Sequence, residues 1–100
     1  MELIIKQSED TYTGILKGRL DTASSNQFSR DMQPLMDNAD KHILLDCSEL
    51  EFISSSGLRL MLILRKQTIA NGGDVTITGA SDEVKKVFTI TGFYSLFNMA

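Results

Sequence analysis

Tryptophan is absent from this 100-residue chain, and cysteine, histidine and proline each occur once. The single cysteine, Cys47, allows no internal disulfide, so the fold cannot depend on covalent cross-links. One histidine and one cysteine are also too few to form a transition-metal site. The sequence therefore predicts a domain that folds without a bound metal or other cofactor.

Basic runs and long apolar stretches are also missing. The ten lysines and arginines are scattered and the net charge is −3, which argues against a general nucleic-acid-binding surface. No apolar stretch has membrane-spanning length, and the N-terminus lacks the pattern of a signal peptide. With 42% hydrophobic and 23% charged residues, we expect one globular domain over residues 1–100 in the cytoplasm, with no direct membrane insertion.

Hydrophobic periodicity predicts alternating strands and helices. Strands are expected at 3–7, 12–17, 42–47 and 74–78, and helices at 22–38, from 55 or 56 to 70, and 82–90. The short first connection predicts a hairpin, and the later strands, each separated by a helix, predict parallel pairing. Pro34 is expected to kink or break the first helix. The predicted fold is α/β, with a mixed four-stranded sheet and helices packed on it.

Three consecutive hydroxyl residues, Ser54, Ser55 and Ser56, precede Gly57 where a long apolar helix begins. A serine there can simply cap the helix, which stabilises it by about 1 kcal/mol. Gly57 costs up to about 1 kcal/mol relative to alanine in a first turn, which suggests that a partner approaches closely. The alternative is that the helix start packs against the chain's own loops. A helix N-terminus also favours phosphate.

Asp21 follows the second predicted strand as Ser55 follows the third, so parallel pairing would place both at one rim of the sheet. Its simpler role is to cap the next helix. His42, the only histidine, begins the third strand and is expected at the opposite end, out of reach of Ser55. The nucleophile-elbow pattern of serine hydrolases is absent. We therefore predict a binding module and no enzyme.

The helix after the serines carries more apolar residues than one packing face requires. Met61 could join a partner interface with Arg59 on its polar rim. Burial under the rest of the fold is the alternative for most of these side chains.

Several segments, in this order, resemble the STAS domain family and, within it, the small bacterial anti-sigma factor antagonists. Gly18–Asp21 is similar to the family's G-E-L-D, with Arg19 in place of the acid. Residues 43–48 resemble its third strand, and residues 50–58 resemble the signature in which D-S-S-G-L follows apolar residues, with Ser54 in place of the aspartate. Residues 71–75 and 84–93 are similar to its later G-G and V-x-x-x-F segments.

The resemblance implies partner switching. The unphosphorylated antagonist would bind an anti-sigma factor serine kinase and release sigma factor, the kinase would phosphorylate the antagonist, and a serine phosphatase would reset it. Ser55 matches the phosphorylated position, with Ser56 as the alternative. The expected partner-binding residues are Asp21, Ser54, Ser55, Ser56, Gly57, Leu58, Arg59 and Met61.

A second function is compatible with the same family. Small STAS proteins also serve as accessory subunits bound to the ATPase of an ABC lipid transporter, a role that needs no phosphorylation. Ser54, which replaces the signature aspartate, favours this alternative.

Overall fold

A mixed five-stranded sheet forms the centre of the computed structural model, which describes residues 1–100. The strands are β1 (Glu2–Ser8), β2 (Thr11–Leu20), β3 (His42–Ile53), β4 (Asp74–Thr78) and β5 (Asn98–Met99), in that spatial order. The β1–β2 hairpin is antiparallel and every later pair is parallel. The predicted α/β fold is confirmed, with five strands instead of four because residues 98–99 pair with β4.

Four α-helices connect the parallel strands: α1 (Thr22–Asp31), α2 (Gln33–Asp37), α3 (Ser55–Asn71) and α4 (Asp82–Ile90). The break that Pro34 predicts is confirmed, since proline occupies the first turn of α2, where its missing N–H costs nothing. A short 3₁₀ turn at Tyr94–Leu96 precedes β5. None of the helices combines the length and the hydropathy required to cross a bilayer.

One hydrophobic core joins the helices to the sheet. Alternate strand residues such as Leu16, Leu45 and Ile77 are fully buried and belong to the same cluster as apolar side chains from all four helices. Each parallel strand is added on the same side of the one before it, in the order β2-β3-β4-β5. Right-handed connections in such an order place all the helices on one face of the sheet. Ile15 and Leu44, which alternate with the buried residues, therefore face away and are outside that cluster.

The strands β2 and β3 extend further than the sequence pattern predicts. They pair in parallel from Thr11 and His42 to Leu20 and Ile53, with irregularities between Ile15 and Lys17 and between Gly18 and Arg19. These shifts keep Leu50 and Ile53 buried although two exposed residues, Glu51 and Phe52, stand between them and break the simple alternation. Both strands consequently end together at one rim.

Candidate functional site

Asp21 and the serine run lie side by side at the rim where β2 and β3 end. Leu20 and Ile53 are register partners, and the Ser54 N–H donates to the Leu20 carbonyl at 2.8 Å. Each strand passes directly into a helix, so the starts of α1 and α3 are neighbours. The predicted juxtaposition of Asp21 with the serines is confirmed.

Asp21 forms a reciprocal capping box with Ser24. Its Oδ1 accepts from the Ser24 N–H at 3.0 Å, and the Asp21 N–H donates to the Ser24 hydroxyl at 3.0 Å. The carboxylate accepts from the Ser24 backbone N–H and also from the Ser24 hydroxyl, at 3.1 Å, and these two bonds, with a smaller contribution from the Arg19 charge, lower the pKa of the Asp21 carboxyl. Asp21 is therefore a cap that also places a fixed negative charge at the rim.

The three serines have different surroundings. Ser54 is the N-cap of α3, and its hydroxyl accepts from the Gly57 N–H at 3.2 Å. Ser55 is exposed and Ser56 is half-buried, and neither hydroxyl is bonded to another group of the chain. Ser55 thus carries the hydroxyl most open to another molecule.

Gly57 is buried against the chain's own β2 strand. A Cβ at this position would lie 2.6 Å from Leu20 Cγ and 3.2 Å from Ile53 Cγ1. Glycine is needed here because the helix start packs directly on the ends of the strands. The expectation that Gly57 makes room for a partner is wrong. The packing is internal, as the alternative held, but it is against the ends of the strands and not against loops.

The apolar residues of α3 divide between core and surface. Leu58 and Met61 are both 0% exposed, so neither presents its side chain to a partner, and that expectation is wrong for both. They are buried because they occupy the α3 face that packs in the core. Arg59 is exposed and stays available, and Ile63 is 42% exposed.

Two residues beside this rim were not predicted as site residues. The Arg19 guanidinium stacks over the Phe52 ring, 4.5 Å from its centroid, across the β2–β3 pair. An open cleft of about 570 Å³ lies next to them, lined by Arg19, Leu50, Glu51, Ser81, Asp82 and Glu83. The available signal was the arginine in the G-R-L-D segment, but sequence alone did not pair it with Phe52.

Other chemically distinctive residues lie away from the rim or inside the core. His42 begins β3 at the opposite end, as predicted, where its Nδ1 is 2.9 Å from Asp74 Oδ2. Burial raises the pKa of the Cys47 thiol to about 12, so this sulfur stays protonated and inert near neutrality. The structure holds no group of three His, Cys, Asp or Glu side chains positioned to bind a metal.

Comparison with known proteins connects these features to one family. The STAS domain model matches residues 3–100. The candidate anti-sigma factor antagonist BtrV of Bordetella bronchiseptica is 29% identical over 100 residues, which span all of this chain and 86% of BtrV. A STAS-domain containing protein of Pseudomonas aeruginosa is 25% identical over 85 residues, 85% of this chain and 83% of that protein.

Solved structures share the fold. A candidate anti-sigma factor antagonist from Thermotoga maritima superposes with a TM-score of 0.86 at 19% identity, covering 97% of this chain and 84% of that one. The unphosphorylated anti-sigma factor antagonist SpoIIAA has a TM-score of 0.79 at 22% identity, covering 99% of this chain and 88% of that one. Phosphorylated SpoIIAA, from Bacillus, has a TM-score of 0.73 at 22% identity, covering 99% and 91%.

Proposed function

The chain belongs to the STAS domain family, and on that premise we propose that it is an anti-sigma factor antagonist switched by phosphorylation of Ser55. Its unphosphorylated form binds an anti-sigma factor serine kinase, which frees sigma factor. Phosphorylation separates the two proteins, and a serine phosphatase restores the binding form.

The exposed, unbonded Ser55 hydroxyl at the start of α3 carries this proposal. A kinase can reach it without breaking an internal hydrogen bond. The first-turn N–H groups and the helix dipole favour a phosphate there. Ser54 is engaged as the cap, and Ser56 is less exposed. The names of BtrV and SpoIIAA support the same function.

The change from the kinase-bound form to the separated form is electrostatic in origin. A phosphoserine adds about 1.5 to 2 negative charges. The Asp21 carboxylate, with its lowered pKa, is fixed at the same rim. Phosphorylation therefore concentrates negative charge, and adds bulk, in the surface that the kinase occupied.

Co-purification from the native cell followed by phosphorylation in vitro tests the proposal. The chain is expected to capture an anti-sigma factor kinase, and intact-mass measurement with that kinase and ATP should show one added phosphate. Ser55→Ala should abolish the added mass, whereas the matched control Ser56→Ala should retain it. A phosphate that survives Ser55→Ala would refute the assignment.

Two further measurements test the switch itself and the alternative function. Ser55→Asp should bind the kinase at least about tenfold more weakly, since a fixed charge partly imitates the phosphate. Capture of a transporter ATPase, with no added phosphate, would instead support the accessory-subunit function that the sequence also allows.

A further inference from the structure

Arg19 and Phe52 form an exposed cation–π pair beside the Ser55 rim. The guanidinium carbon lies 4.5 Å from the ring centroid, and Phe52 is 37% exposed. A partner that covers the exposed part of this ring gains the free energy of burying apolar surface. Arginine and aromatic side chains are the residues most enriched in interface hot spots.

The donors of Arg19 are unused within the chain. Its side chain makes no internal hydrogen bond, and the three ion pairs of the molecule are Lys17–Glu49, Lys41–Asp40 and His42–Asp74. Stacking on Phe52 holds the planar guanidinium in place while its N–H edge stays free. A guanidinium positioned in this way suits bidentate binding of a carboxylate.

The pair is continuous with the proposed site. Arg19 precedes the Asp21 cap by two residues, and Phe52 precedes Ser55 by three. Both side chains belong to the paired ends of β2 and β3, which also position the serines. A protein that binds at the Ser55 rim is therefore expected to reach the pair.

The adjacent cleft is lined by charged side chains of both signs that do not pair with one another. Arg19 is the one basic residue of its lining and Glu51, Asp82 and Glu83 are the acidic ones, none of them in an ion pair. A complementary surface carries a carboxylate against Arg19 and a lysine or arginine against the acidic residues. A cation placed against Arg19 instead would be repelled, which is how interfaces reject wrong partners.

We propose that the Arg19–Phe52 pair is a specificity-determining contact that selects an anti-sigma factor kinase presenting an aspartate or glutamate at this position. This inference rests on the proposed function and names the chemistry of its partner. Kinases that present a cation there, suited to relatives with an acid in place of Arg19, are rejected.

Titration calorimetry with the kinase co-purified with the wild-type chain tests the pair. Arg19→Glu should weaken binding about tenfold or more, and Arg19→Gln by less, because reversal adds repulsion to the loss of attraction. Phe52→Leu, which keeps bulk but removes the ring, should also weaken binding. Arg30→Glu, a reversal at the far end of α1, should bind within about twofold of wild type.

A second probe separates specificity from a general loss of affinity. A kinase from a relative with an acid at this position should bind Arg19→Glu better than the wild-type chain. Urea midpoints of all variants establish that they are folded. Equal binding of Arg19→Glu and wild type to the co-purified kinase would overturn the inference and leave the proposed function intact. Failure to find any kinase would overturn both.

Discussion

Ser54 keeps a structural role while lacking a charge that relatives carry. Serine and aspartate are both good N-caps, because a side-chain oxygen accepts a first-turn N–H. Here the Ser54 hydroxyl accepts from Gly57, so α3 begins at the same place without a carboxylate. Together with Arg19 in place of an acid, this makes the rim less negative than the family pattern. The two replacements preserve the fold and change the charge of the rim beside Ser55.

Gly57 is expected to be intolerant of even one methyl group. Gly57→Ala should lower the free energy of unfolding by about 1–3 kcal/mol despite the better helix propensity of alanine, because the Cβ overlaps Leu20. Urea unfolding measures the change.

Leu20→Ala supplies the control for this prediction, since it removes the atoms that the new methyl meets. The double variant should be less destabilised than the sum of the two single changes. Additive effects would show that the overlap with Leu20 is not the cause.

Asp21 should make stability depend on pH under acid conditions. Its pKa is lowered in the folded protein, so the unfolded chain binds more protons between the two pKa values. The stability it contributes is present above the unfolded pKa of about 3.9 and is lost as pH falls through the lower folded value.

Urea unfolding between pH 2 and 6 checks this expectation. Asp21→Asn, which keeps capping ability but cannot ionise, should lose less stability than wild type on acidification. Parallel curves for the two proteins would contradict the role assigned to the carboxylate.

The strands and helices that the sequence predicts best are those with a strong local sequence signal at their ends. The bounds of β4 and α4 match the sequence prediction, since Gly73 precedes β4 and the Ser81 hydroxyl caps α4 by accepting from the Val84 N–H. The strand β3 was underpredicted because residues 48–53 become a strand only by pairing with β2 through a bulge. The short β5 was missed for a similar reason, since two residues carry no local pattern.

The turn between α3 and β4 should depend on Gly73 more than on Gly72. A Cβ at Gly73 would overlap the carbonyl oxygens of Ala39 and Lys41, which are backbone atoms that cannot move independently. Gly73→Ala should therefore lower the free energy of unfolding by more than about 2 kcal/mol.

Gly72→Asn is the matched control. Gly72 ends α3 with a φ of +87° and has open space around it. Asparagine tolerates this left-handed conformation, so the cost should stay near or below about 1 kcal/mol. Thermal unfolding of both variants gives the comparison, and similar losses would mean that the backbone overlap is relieved.

At the scale of the molecule, the single core lies on one face of the sheet, so the two faces differ in how deeply their side chains are buried. Leu16 is 0% exposed in the core, whereas its neighbour Ile15 is partly exposed on the opposite face. Leu16→Ala should cost about 2–5 kcal/mol and Ile15→Ala clearly less, because only the first leaves a cavity. Denaturant unfolding distinguishes them, and equal losses would show that the second face is also packed.

The site was predictable where topology alone positions it. Parallel pairing of two neighbouring strands was enough to bring Asp21 and Ser55 to one rim, and the structure confirms this. The burial of Leu58 and Met61, and the contact of Gly57 with Leu20, depend on how α3 is rotated about its axis. That rotation is set by tertiary packing, so the sequence alone did not reveal which α3 side chains stay exposed at the surface.

The Ser55 hydroxyl takes no part in holding the fold together. No internal hydrogen bond uses it, so adding a group to its oxygen breaks no contact that holds the domain together. The proposed phosphorylated form is therefore expected to keep the same backbone and nearly the same melting temperature. The proposed phosphorylation would then change only the charge and size of the surface, and it could be reversed many times without the chain ever having to refold.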